Sequence, residues 1–90
     1  MEFDANIIRA RLLYHLRRKR VVGGVHTHFD TLKRGFPKHL GKEVDDAAKN
    51  MIKEGLLIAK PTSYGLQVSL NKERMIMIDE FIYKILRVGF

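Results

Sequence analysis

Imidazole and carboxylate groups close together in a chain are the first candidates for chemistry. His26, His28 and Asp30, with His39 downstream, supply the nitrogen and oxygen donors that bind zinc. Their spacing does not make them converge, because His26 and His28 on a strand-to-helix junction need not face one ion, and Thr27 between them reads as a helix cap. No metal and no cofactor are therefore expected, and these side chains read as donors near a phosphate or as filling of the junction. Cysteine is absent, which removes disulfides and thiolate zinc sites. Ser63 and Ser69 lack the context of a nucleophile, and the glycines form no phosphate-cradling loop. Asp45 and Asp46 are adjacent on a predicted helix and so point about 100° apart. With no catalytic constellation and no polar cluster on an apolar face, an enzyme is not expected.

Charge is the more informative signal. Seventeen Lys and Arg against ten Asp and Glu give 90 residues a net charge of +7, and excess base favours polyanionic partners because each phosphate neutralised releases counterions. The cations come in groups: Arg17, Arg18, Lys19 and Arg20, then Lys33 and Arg34, then Lys38, Lys42 and Lys60. Such residues suit phosphate contacts, which position a protein without reading sequence.

The elements that must carry these groups follow from periodicity. Asp4 caps a first helix with Ile8, Leu12 and Leu16 at helical spacing, ending in the basic run at 17–20. Gly23 and Gly24 break the chain, and Val25 with His26 suggests a short strand. Thr27 and Asp30 fit a capping box for a second, short helix from about His28 that buries Phe29 and Leu32 and stops at Gly35 with left-handed backbone. After Phe36 and Pro37, the residues Leu40, Val44, Ala47, Ala48, Met51 and Ile52 form one face of a third helix. Gly41 is costly inside that helix, which leaves the start open, and Gly55 ends it. A strand at 56–60, a loop at 61–65 and a return strand alternating Leu66, Val68 and Leu70 with Gln67 and Ser69 make a hairpin. Asn71 caps a last helix carrying Met75, Ile78, Phe81, Ile82, Ile85 and Leu86.

This order of elements resembles the winged helix-turn-helix superfamily, and in particular its small stand-alone archaeal members. The residues that carry the resemblance are 27–35 for the first helix of the motif, Val44, Ala47, Ala48, Met51 and 53–57 for the second, and 61–65 for the wing tip. The resemblance implies an α+β fold: a three-helix core, a two-stranded β wing and an additional C-terminal helix, in a single domain over 1–90. It also implies that the third helix enters the major groove of duplex DNA with His39, Lys42, Asp46, Lys49 and Lys53 outward, while the wing reaches backbone or minor groove. His39, Lys42, Lys49 and Asn50 would then reach base edges. That face is mixed, since Glu43, Asp45 and Asp46 repel phosphates. At the wing, Lys60, Thr62, Ser63 and Tyr64 offer a cation, hydroxyls and an aromatic face, unless Tyr64 simply packs on the hairpin.

The last helix has more apolar surface than one packing face needs. Met75, Ile76, Phe81, Ile82, Tyr83 and Leu86 are the candidate interface, either for a homodimer or for another protein, the alternative being that the first helix wraps them within a monomer. The absence of a long apolar run and the acids in the first residues point to a cytoplasmic protein with no membrane partner. The expected function is a nucleic-acid-binding protein: duplex DNA is favoured over RNA, as a transcriptional regulator or a chromatin-type binder. The competing expectation is an accessory protein-interaction subunit of a replication, transcription or translation complex.

Overall fold

Ile8, Ala10, Leu12, Leu13 and Leu16 commit the first helix to burial around much of its circumference, roughly 200° at about 100° per residue. In the computed structural model, which describes residues 3–89, this helix α1 (Ala5–Arg18) is covered on two sides, by α2 (Gly41–Lys53) and by α3 (Met75–Leu86). The Asp4 carboxylate accepts from the Ile7 amide at 2.8 Å and so caps α1 as its sequence implies. The helix ends earlier than the glycine pair. The Val21 amide donates to the Leu16 carbonyl at 3.0 Å and Arg20 takes a left-handed φ of 57°, so Arg20 stands where glycine usually sits.

The next segment is zipped to the end of the hairpin, with Leu70 N donating to Val21 O at 2.8 Å and Gly23 N to Leu70 O at 3.2 Å. The short strand forms two residues later than its sequence suggests, as β1 (Thr27–His28), which pairs antiparallel with β3 (Gly65–Leu70). Because Thr27 is held opposite Val68, it does not make the predicted capping box. Its hydroxyl meets that of Thr31 at 3.1 Å, and Thr31 donates to the His28 carbonyl at 2.7 Å. The second helix is a 3-10 helix throughout, Phe29–Gly35. Phe29 and Leu32, three residues apart, are the pair it turns inward, and three residues per turn stacks them on one side. Gly35 does not adopt left-handed backbone; Gly23, Gly55 and Gly65 do.

A second 3-10 turn, Lys38–Leu40, precedes α2, so Gly41 is the first residue of the regular helix rather than a defect inside it. Val44, Ala47, Ala48 and Met51 form its buried face. Gly55, at φ 81°, ends it as expected. The hairpin is longer and tighter than its sequence suggests: β2 (Leu57–Thr62) pairs with β3 through to Thr62 opposite Gly65, leaving only Ser63 and Tyr64 as the turn. Pro61 is accommodated because β2 is an edge strand in the order β1-β3-β2. Ser69 is buried despite its outward position in the alternation, at the end of β3 where β2 pairs on one edge and residues 21–23 on the other.

The result is an α+β arrangement with helices on one face of a three-stranded antiparallel sheet. Asn71 joins its two halves. Its Oδ1 accepts from the Glu73 amide at 3.0 Å, starting the 3-10 turn Lys72–Arg74 that leads into α3. Its Nδ2 donates to the Gly55 carbonyl at 2.8 Å, and its backbone amide donates to Leu56 O at 3.0 Å. Asn71→Ala is expected to cost about 1–3 kcal/mol, because it removes a cap and leaves a part-buried carbonyl without its donor. Urea denaturation checks this: the midpoint should fall with the slope unchanged, and an unmoved midpoint would show the clasp to be dispensable.

Candidate nucleic-acid interface

The cations of α1 divide according to their place on the helix. Arg9 and Arg17 lie within its buried arc, and each meets a carboxylate from another element. Arg9 pairs with Glu54 and lies 5.9 Å from the ring centre of Phe81, while Arg17 forks Asp79 with Nε–Oδ1 at 3.0 Å and a second contact at 3.4 Å. A guanidinium flanked by packed helices needs such a partner. Arg17 therefore ties α1 to α3 and is removed from the exposed basic cluster in which the sequence places it, leaving Arg18, Lys19 and Arg20 exposed there.

The remaining arc of α1 carries Arg11, Tyr14, His15 and Arg18 in one stripe, the first three of which sequence reasoning missed. Their i, i+4, i+7 spacing opposite the apolar face is the signal that could have found them. Arg11 lies 5.3 Å from the ring centre of Phe3, and Arg18 lies 5.7 Å from that of Tyr14. Two clefts open along this stripe. One, of about 200 Å³, is lined by Arg11, Leu12, Tyr14 and His15 of α1 and by Leu32, Gly35 and Phe36 across from them. The other, of about 290 Å³, is lined by His15, Arg18 and Lys19. Burial, then the charges of Lys19 and Arg18, lower the pKa of His15 below the ordinary histidine value. The folded chain thus binds that proton more weakly than the unfolded chain. The contribution is fully present above pH about 6.5 and fades as pH falls through that value.

On α2 the helical turn sorts the charges in part. Lys42, Lys49 and Lys53, at i, i+7 and i+11, share the ridge opposite the buried face. Asp45 lies to one side, where Lys33 Nζ meets its Oδ2 at 3.1 Å, which gives Lys33 a partner within the fold. Asp46, at i+4 in the same series, is exposed on that ridge between Lys42 and Lys49, and Glu43 lies to the other side; both line with Asn50 a cleft of about 280 Å³ shared with Phe3, Ala5, Ile8, Arg9 and Ala47. Of the flanking acids, Asp45 and Glu54 are held by Lys33 and Arg9.

No protein-family model, curated protein or solved structure matches this chain. The interface accordingly rests on its own geometry. Lys38 and His39 are exposed on the 3-10 turn leading into α2, and Arg34 is exposed on the preceding 3-10 helix. At the hairpin tip Lys60 is exposed and Tyr64 is 86% exposed, so Tyr64 does not pack on the hairpin. Thr62 has structural work: its hydroxyl donates to Gly65 O at 2.7 Å and accepts from the Tyr64 amide at 3.2 Å. Across the outer sheet face, His28, Gln67 and Lys60 stand in one cross-strand row. Among the described residues no group of three or more His, Cys, Asp or Glu is placed to hold a metal ion.

On α3, Ile82 is 0% exposed and offers no surface to a partner. Met75, Phe81 and Leu86 are half-buried against the core. Ile76 at 79% and Tyr83 at 56% are uncovered, and Met77 joins them. No helix of the described residues is long and apolar enough to cross a membrane.

Arg20 gives a test of what the basic cluster is for. Left-handed backbone is costly for a residue with a side chain, so Arg20→Gly is expected to stabilise the fold by about 1 kcal/mol while removing one exposed charge. Thermal denaturation should show a higher Tm alongside weaker retention on a polyanionic resin. A lower Tm would mean that the arginine side chain itself holds the helix end.

Proposed function

We propose that this chain is a winged helix that binds duplex DNA, with α2 facing the major groove and the β2–β3 hairpin reaching the adjacent backbone. The observation that carries the reading is the lysine ridge of α2: Lys42, Lys49 and Lys53 are exposed in one line in which they outnumber Asp46, while Asp45 and Glu54 are paired with Lys33 and Arg9. The chain order of helices and strands and the sheet order β1-β3-β2 are compatible with such a fold. Lys60 and Tyr64 at the hairpin tip, Arg34, Lys38 and His39 supply further groups for phosphate or sugar. On this reading α2 contributes mainly backbone attraction, with Asn50 and His39 as the polar side chains able to meet base edges.

The expected behaviour is retardation of duplex DNA at low salt, with logarithmic affinity falling linearly against logarithmic salt concentration. Replacing Lys42, Lys49 and Lys53 together by Gln should reduce that slope by about 0.9 for each phosphate that is no longer neutralised. All three are exposed, so the fold should be unaffected. An unchanged slope in a mobility-shift titration would remove α2 from the interface, and absence of retardation at low salt would sink the DNA reading.

Ile76, Met77 and Tyr83 favour a second reading, in which α3 serves a homodimer or docks the chain into a nucleic-acid-processing complex while the basic surface touches nucleic acid secondarily. If the partner is a second copy, sedimentation should show a dimer, and Ile76→Glu with Tyr83→Glu should convert it to a monomer that still binds DNA more weakly. A chain that is monomeric at all concentrations would leave α3 to a different protein.

A further inference from the structure

The two clefts along α1 meet at His15, which lines both. Their chemistry differs along the length. The first is walled by Leu12, Tyr14, Leu32 and Phe36, a mostly apolar slot with two aromatic rings and the Arg11 guanidinium. The second is lined only by His15, Arg18 and Lys19. Among the described residues no carboxylate lines either one, whereas Glu43 and Asp46 line the cleft on the far side of α1. Arg18 is held near the Tyr14 ring, so a cation is anchored where the apolar slot gives way to the basic end.

An apolar slot with two aromatic rings that meets a cationic pocket at His15 matches a ligand with an aromatic plane at one end and an anion at the other. Duplex DNA does not present that combination, because its bases are stacked inside. An unpaired nucleotide does, and aromatic side chains accept any base face while cations track the phosphate. We infer that the groove between α1 and the 3-10 helix Phe29–Gly35 binds a nucleotide unit, its base against Tyr14 and Phe36 and its phosphate among His15, Arg18 and Lys19. This deepens the nucleic-acid reading and rests on it, but it names a different surface from the lysine ridge of α2 and a different ligand, an unpaired nucleotide of a strand or a free mononucleotide.

Binding there carries a pH signature. Among the described residues that line the two clefts, the titratable and charged groups around His15 are Arg11, Tyr14 and Arg18 of α1 and Lys19 just after it; the opposing wall, Leu32, Gly35 and Phe36, brings none. In the free protein burial and the two neighbouring cations disfavour the imidazolium. A phosphate seated between them reverses the sign of the local field, so the complex takes up a proton and affinity rises as pH falls from about 7.5 to about 5.5.

The test is fluorescence anisotropy with the full chain and four probes: a short labelled single strand, the same strand with an abasic site at each position, the matching duplex, and a labelled adenosine monophosphate. The paired substitution Arg18→Gln with Lys19→Gln should weaken the single strand about tenfold or more, and Phe36→Leu should weaken it less while keeping the slot filled. His15→Gln should flatten the pH dependence. Binding of the mononucleotide would identify the single unit as sufficient, whereas binding of the strand alone would identify the continuous backbone as required. The inference is overturned if the abasic strand binds as tightly as the normal one, or if single-strand affinity responds to Lys42, Lys49 and Lys53 and ignores Arg18 and Lys19. Failure of the duplex reading is a separate result, the absence of duplex retardation, and circular dichroism of each variant separates both from unfolding.

Discussion

Burial of α1 on two sides is the constraint from which most of the surface follows. A helix covered by α2 and α3 has only one arc left for polar groups, so its charges are either drawn into the packed interior or crowded into that arc. Those within the covered arc, Arg9 and Arg17, are matched by Glu54 and Asp79 and act as ties between elements. Those outside it, Arg11, His15 and Arg18, are left in a line, and among the described residues no carboxylate lines the clefts beside them. One packing requirement thus separates the arginines that tie elements together through carboxylates from those on the outer arc of the helix.

The same sorting operates on α2 by a different route. Its acids are close in sequence to its lysines, yet a step of about 100° per residue sends Asp45 and Glu43 to opposite sides of the cylinder and leaves only Asp46 in line with Lys42, Lys49 and Lys53. Asp45 turns toward Lys33, and Glu43 toward the cleft with Arg9. A charge count along the helix averages over these directions and reports an even mixture where the outward ridge has three lysines to one acid.

The periodicities of α1, α2 and α3, the Asp4 and Asn71 caps and the Gly55 stop were legible in the sequence because each is set within a few residues of chain. What escaped was set by distant partners. Thr27 looks like a helix cap until Val68 takes its backbone into a sheet, and residues 21–23 look like a free break until Leu70 pairs with them. Arg17 and Arg18 are adjacent and alike as letters, and only Asp79, sixty-two residues away from Arg17, distinguishes them. For the candidate site, the basic character was legible, but its division between α2 and the α1 stripe was not.

The contact between Phe3 and Phe36 acquires a wider meaning in this arrangement. Their rings meet edge to face at 5.9 Å, Phe3 lining the cleft that holds Glu43 and Asp46 and Phe36 lining the cleft that holds Arg11 and His15. The pair is a hydrophobic partition between a cleft with two carboxylates and Arg9 and a cleft that no carboxylate of the described residues lines. Two phenylalanine rings, neither of them charged, thus stand between the carboxylates of one cleft and the cations of the other.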